Sequence, residues 1–325
     1  MIKAGIVGGS GYAAGELIRL LLFHPKVEIK FIFSSSMSGS PATEAHPDLI
    51  GDTNLHFSSS LEKDIDVLFL CTGHGQSRNF LNEHSIPKDV TVIDLSRDFR
   101  LSESSSFEQR SFVYGLPELH SNAIKKAGSI ANPGCYATAI QLALLPLASE
   151  KLLKSDVHVH GITGSTGAGK SLSETTHFSW RHANISHYKA FQHQHLDEIE
   201  QSLTGLQPSF SSSINFIPMR GNFTRGIFTT AYCHCDLTIE KAVDLYRDYY
   251  LDAPFTHVTT NEVELKQAVG SNKCILKLEK HGNKLLITSI IDNLLKGASG
   301  QAVQNMNLIF GLDEASGIQL KTNRF

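Results

Sequence analysis

The chain opens MIKAGIVGGSGYAAGELIRLLLF, and few local structures accommodate those residues. Residues 2–7 are an apolar run of strand length; Gly8, Gly11 and Gly15 follow, then Leu17, Leu20 and Leu21 recur at helical spacing until Pro25. Strand, glycine turn and helix begin a doubly wound sheet, and the turn lets a pyrophosphate approach backbone N–H groups at a helix start. VEIKFIF (27–33), IDVLFLC (65–71) and VTVIDLS (90–96) read as further strands at helix-length intervals, the pattern of a parallel sheet covered on both faces. A carboxylate closing the second strand would bind a ribose 2′-hydroxyl, but this strand runs into FSSSMSGS. Serine hydroxyls with no carboxylate beside them suit a 2′-phosphate, so the expected cofactor is NADP.

After residue 135 the texture changes. An apolar helix is expected over about 136–149 and a strand over 156–163, followed by polar, His-rich sequence. GIFTTAYCHCDL, CILKLEK and KLLITSIID then alternate like strands of a mainly antiparallel sheet, and GQAVQNMNLIFGL returns to helix. At 325 residues two domains are expected: a discontinuous, Rossmann-type doubly wound NADP-binding domain (1–135 and 297–325), and an α+β substrate and oligomerisation domain on a mixed sheet (136–296). LSESSSFEQR (101–110) and the serines near 211 read as loops.

A formal net charge of −3 offers no basic face for nucleic acid, so the ligand is expected to be small. Apolar runs such as IQLALLPLA stop well short of the roughly 18–20 residues that span a bilayer, and nothing at the start reads as a secretory signal. Five cysteines at scattered spacings fit a reducing cytoplasm. Cys233 and Cys235 flank His234, but no further ligands stand at zinc spacing, so no metal is expected.

GSTGAGKS, from Gly164, satisfies the phosphate-loop pattern, yet SLSETTHFSW after Lys170 is a poor amphipathic helix, and Asp94, the candidate magnesium ligand, lies upstream. The glycines and hydroxyls can instead form an anion nest for a phosphorylated substrate. In ANPGCYATA, Cys135 follows Pro133 and Gly134 at a helix start, where a thiolate is favoured; a buried structural cysteine is the alternative. HYKAFQHQHLDEIEQSL supplies His187, His193 and His195 for acid–base work, and a two-residue spacing puts His193 and His195 on one face only in extended chain.

GGSGYAAGELIRLL, IDLSRDFRL, VYGLPEL, ANPGCYAT, GSTGAGKS, YKAFQHQHLDEIEQ, the RGIF of NFTRGIF and DNLLKGASGQAVQNMN together resemble the N-acetyl-γ-glutamyl-phosphate reductases of arginine biosynthesis, in the semialdehyde dehydrogenase superfamily, over essentially the whole chain. The resemblance implies that GSTGAGKS is a substrate loop, Cys135 the nucleophile and His193 the general acid/base. It further implies substrate contacts from Arg100, Asn132, Thr163, Gly164, Ser165, Thr166, Gly167, Tyr188 and His195. Gly8, Ser10, Gly11, Tyr12, Ser34, Ser36, Thr72, Ser96 and Asn305 fall in segments that line the cofactor. Many members carry Pro-His-Leu-x-Pro ahead of Arg-Gly-Ile, whereas this chain reads FIPMRGNFTRGIF, with Met219 and Asn222 in place of the histidine and second proline. Arg220 there could pair with an extra carboxylate, which places N-succinyl-glutamyl phosphate beside the N-acetyl substrate. The rivals are an aspartate-semialdehyde dehydrogenase, a non-catalytic NADP sensor and an ATPase; a homodimer or homotetramer is expected.

Overall fold

The computed structural model describes residues 1–323, which divide into two compact units. The first comprises Met1–Gly134 and Ala298–Gln319, the second Cys135–Gly297 with residues 320–323. The chain therefore passes between units at Cys135 and Gly297, and residues 320–323 group with the second unit.

In the first unit, strands β1 (Ile2–Val7), β2 (Val27–Phe33), β3 (Phe57–Ser58), β4 (Val67–Leu70), β5 (Thr91–Asp94), β6 (Val113–Tyr114) and β7 (Ser129–Ala131) form one sheet in the order β3-β2-β1-β4-β5-β7-β6. Every pairing in it is parallel. Burial on both faces explains why the central strands are unbroken apolar runs: β4 is VLFL, without exposed surface. Helix α1 (Tyr12–Leu22) buries Ala14, Leu17, Ile18, Leu20 and Leu21, a stripe at helical spacing, and burial of each large side chain stabilises the unit by roughly 1.5–3 kcal/mol. Helices α2 (Gln76–Glu83) and α3 (Pro117–Ile124) follow, and the C-terminal helix Gly300–Ile309 packs on α1 and α3. The expected loop at 101–110 contains part of a hairpin, Ser106–Phe107 with Arg110–Ser111. Its Phe107 enters the core beside Phe99, an apolar anchor within a polar stretch.

The second unit is a mixed sheet under helices. Strands β8 (Val157–Thr163), β9 (Ser186–His187), β10 (Ile214–Arg220), β11 (Ile227–His234), β12 (Thr256–Thr259), β13 (Cys274–His281) and β14 (Lys284–Ile291) take the order β9-β10-β8-β11-β14-β13-β12. Only β8–β10 and β12–β13 are parallel pairs. Alternating burial along β8 and β11 marks a sheet with one fully covered face.

Helix α4 (Cys135–Ser149) packs against β11, β13 and β14 and against helices α5 (His195–Leu206) and α6 (Ile239–Tyr249). It is buried from Tyr136 to Ala148 and contains Pro146, which has no N–H to offer the Leu142 carbonyl. The Tyr250 hydroxyl donates to that carbonyl at 2.6 Å, and Tyr246 does the same for Ala143. Side chains thus supply the donor that proline removed, so α4 runs unbroken from its first residue.

Candidate active site

Cys135 is the first residue of α4 and half-buried, so its sulfur sits where a helix favours negative charge. Gly297 lies against it: a Cβ added there would come 2.7 Å from the Cys135 Cβ and 3.2 Å from its Cα. The next residue, Tyr136, fixes the first turn by donating to the Gly161 carbonyl at 2.9 Å, with the Met219 carbonyl at 3.1 Å. Its hydroxyl also bonds that of Tyr188, whose pKa is pushed up to about 12 by burial and then by negative charge on Cys135, with Arg220 opposing. Cys135, Tyr136 and Tyr188 therefore sense one another electrostatically.

His193 stands in the same cluster. Its ring centroid is 5.6 Å from Tyr136, 5.7 Å from Tyr188, 5.5 Å from Phe216 and 4.6 Å from His195, and it is 7% exposed. Burial, then the charge of Lys189, lowers its pKa to about 4, so the imidazole is neutral near pH 7. Nδ1 accepts the His195 backbone N–H at 3.2 Å, which leaves the proton on Nε2. The two histidines meet through a helical turn at Gln194 (φ −57°, ψ −19°), not through the extended chain that their spacing suggests. His195 instead begins α5, with Nε2 4.0 Å from Glu198, while His187 is exposed on β9.

The GSTGAGKS segment follows β8, and no α-helix starts at Lys170. Ser165–Ala168 is a 3-10 turn, Gly169 has φ +79°, and Lys170 is exposed. The expected anion nest is not open either. The amides of Gly164, Ser165, Thr166 and Gly167 already donate to the carbonyls of Gly226, Phe223, Thr224 and Gly164. Thr166 Oγ1 also donates to Thr224 and accepts from Asn293, while Thr163 is buried. The loop is thus hydrogen-bonded along the 223–226 segment, and the Arg225–Asp292 ion pair, 3.1 Å in both contacts, anchors that segment.

In the first unit, Gly8 takes φ +77°, and a Cβ there would lie 2.7 Å from the Cys71 carbonyl oxygen, so only glycine fits. Gly11 begins α1 without a side-chain cap, leaving its first amides for a ligand, with Ser10 in the turn and Tyr12 exposed. Ser34 and Ser36 follow β2, their hydroxyls 3.4 Å apart. Ser96 is otherwise engaged: its hydroxyl and amide hold the Asp94 carboxylate, which also accepts from Ser77, itself bonded to Thr72. Burial nevertheless raises Asp94 to about 6.

Arg100 and Asn132 are 5% and 0% exposed and serve the backbone. Arg100 donates to the Asn132 and Leu95 carbonyls, and Asn132 to Ala298, so both help shape the turn before Cys135. Asn305 donates to Gly115 and Asn132, and its buried Oδ1 has no partner. Among the described residues no group of three or more His, Cys, Asp or Glu side chains is placed to hold a metal, and no helix is long and apolar enough to cross a membrane.

The sequence reading missed Arg181. It closes the short helix Phe178–Arg181, is 8% exposed and donates to the Gly221 carbonyl at 3.2 Å. An isolated WRHA carries no periodic signal that would have marked it.

Residues 3–127 match the model of a semialdehyde dehydrogenase NAD binding domain, and 135–293 that of a semialdehyde dehydrogenase dimerisation domain. N-acetyl-gamma-glutamyl-phosphate reductase from Flavobacterium johnsoniae is 57% identical across 100% of both chains, and that of Phocaeicola vulgatus 54%, again across 100% of both. Aspartate semialdehyde dehydrogenase II from Vibrio cholerae superposes with a TM-score of 0.74 at 15% identity, covering 96% of this chain and 99% of the other. The Candida albicans enzyme, solved with NADP, gives 0.67 at 14% identity, covering 95% and 98%.

Proposed function

Because the chain belongs to the N-acetyl-γ-glutamyl-phosphate reductase family of semialdehyde dehydrogenases, we propose that it catalyses the NADPH-dependent reduction of N-acetyl-γ-glutamyl phosphate to N-acetyl-glutamate 5-semialdehyde, with release of phosphate, in arginine biosynthesis. The observation that carries this reading is Cys135 at the head of α4, sharing Tyr136 and Tyr188 with a buried, neutral His193.

The Cys135 thiolate attacks the γ-carbonyl carbon; the carbon–oxygen bond to phosphate breaks, phosphate leaves with the bonding pair, and a thioester remains. The turn around Gly8, the uncapped start of α1, the Ser34 and Ser36 hydroxyls and the unpartnered Asn305 Oδ1 fit a phosphorylated dinucleotide. NADPH, when bound, supplies the hydride that reduces the thioester carbon. A neutral imidazole with its proton on Nε2 hydrogen-bonds the oxyanion that develops there, and collapse of the tetrahedral adduct returns the thiolate and frees the aldehyde. His193 thus acts in this direction as a hydrogen-bond donor more than as a proton reservoir, since a group titrating near 4 holds almost no transferable excess proton at pH 7.

The match to a dimerisation domain supports a homodimer or homotetramer built on the second unit, and the reaction belongs in the cytoplasm with its soluble substrates. The test is the reverse reaction: NADP reduction by N-acyl-glutamate semialdehyde with and without inorganic phosphate. Strict phosphate dependence, abolished by Cys135→Ser, is expected; phosphate-independent turnover would overturn the reading.

A further inference from the structure

Beside the histidine cluster the second unit buries a cation that no carboxylate among the described residues neutralises. Arg181 uses Nη1 on the Gly221 carbonyl, but its Nε and Nη2 are buried without any hydrogen-bond partner. A guanidinium keeps its charge and offers five N–H donors, so leaving the three on Nε and Nη2 unmade inside a protein is strongly unfavourable unless a ligand completes them.

The neighbouring group has the same sign. Arg220, at the end of β10 and half-buried, places its guanidinium 4.0 Å from the Tyr188 ring centroid, and Tyr188 in turn packs on His193. Among the described residues neither arginine lies within ion-pair distance of a carboxylate. Burial and then the charge of Arg220 both lower the pKa of Arg181, so the two cations are held together against their repulsion.

The tether is Asn222. Its carboxamide, oriented to satisfy both ends, donates to the Arg181 carbonyl at 3.3 Å and accepts the Ala183 N–H at 3.1 Å. A proline at this position could make neither bond. The departure at FIPMRGNF therefore supplies one arginine and docks the segment bearing the other.

Resting on the reaction proposed above, we propose that Arg181 and Arg220 seat a carboxylate at the far end of the N-acyl group, so that this chain prefers an acyl group ending in its own carboxylate, such as succinyl, over neutral acetyl. N-acetyl-glutamyl phosphate carries a single carboxylate apart from its phosphate, the α-carboxylate. A succinyl chain adds a second.

The experiment compares kcat/KM for phosphate-dependent NADP reduction with N-succinyl- and N-acetyl-glutamate 5-semialdehyde, using the wild-type protein, Arg181→Gln and Arg220→Met. A wild-type preference for the succinyl substrate of about 10- to 100-fold is expected, the range that charged hydrogen bonds supply. Each variant should bring the ratio toward one, chiefly by raising KM for the succinyl substrate. An acetyl preference in the wild-type protein would overturn the proposal, and needs no variant to fold. Equal losses on both substrates would assign the arginines to the α-carboxylate and overturn it too. No turnover with either substrate would instead overturn the underlying reaction.

Discussion

Gly297→Ala tests how tightly the nucleophile is held. The added Cβ would stand 2.7 Å from the Cys135 Cβ and 3.3 Å from the Asp292 carbonyl oxygen. Unbonded carbons settle at about 3.5–4.0 Å, so the gap must open by roughly 1 Å. Little on either side can yield. Cys135 is held by the helix that Tyr136 pins to two strands, and Asp292 by Arg225 and by the amides of Gly270 and Leu294 at 2.8 Å. Overpacking of this kind costs about 1–3 kcal/mol, a drop in Tm of a few degrees or more. Displacing a reacting atom by about 1 Å lowers the rate by about 100-fold. The assay is kcat/KM for phosphate-dependent NADP reduction together with thermal unfolding, with Gly205→Ala on α5 as the control, since a Cβ there meets nothing within 4 Å. Loss of rate and stability in Gly297→Ala alone is expected. Wild-type kcat/KM and Tm in that variant would refute the packing argument.

Two further outcomes follow from single groups. His193 titrates near 4 when folded against an ordinary 6.5, so the unfolded chain binds its proton more readily between those values. Its contribution is therefore complete above about pH 6.5 and is lost as pH falls toward 4, a decline of roughly 3 kcal/mol in the stability of the second unit. Urea unfolding of His193→Gln should show a correspondingly shallower acid decline, and identical slopes in both proteins would count against a neutral buried imidazole. Tyr250→Phe strands the Leu142 carbonyl and should destabilise by about 1–3 kcal/mol, but by less in a Pro146→Ala background, where residue 146 regains an N–H. Strict additivity in that double-mutant cycle would show that the hydroxyl does not compensate for the proline.

Much of this architecture could be read from residue order because burial writes itself into pattern. VEIKFIF forms β2 over its full length, and α4 begins one residue before the expected start, since apolar runs and turn glycines are local properties. Two-residue strands such as Val113–Tyr114, and Phe107 inside a serine-rich stretch, carry too few residues for any period. At the site, Cys135 and His193 were visible as residue types in context. The closure of the Gly164, Ser165 and Thr166 amides was not, because their acceptors lie at residues 223–226, about sixty positions away. The bonds that Ser96, Arg100 and Asn132 make to Asp94 and to backbone carbonyls were not legible either, because they depend on partners in other elements. Arg181 was invisible for the same reason: its meaning comes from Gly221, Asn222 and Arg220.

Covalent chemistry at residue 135 can be observed directly. Incubating the protein with the acyl phosphate in the absence of NADPH, quenching in acid and measuring peptide masses should reveal one acyl group, labile to hydroxylamine, on the peptide containing Cys135, which disappears once NADPH is added. Turnover with no acylated Cys135 under those conditions, or the adduct on another residue, would contradict the account.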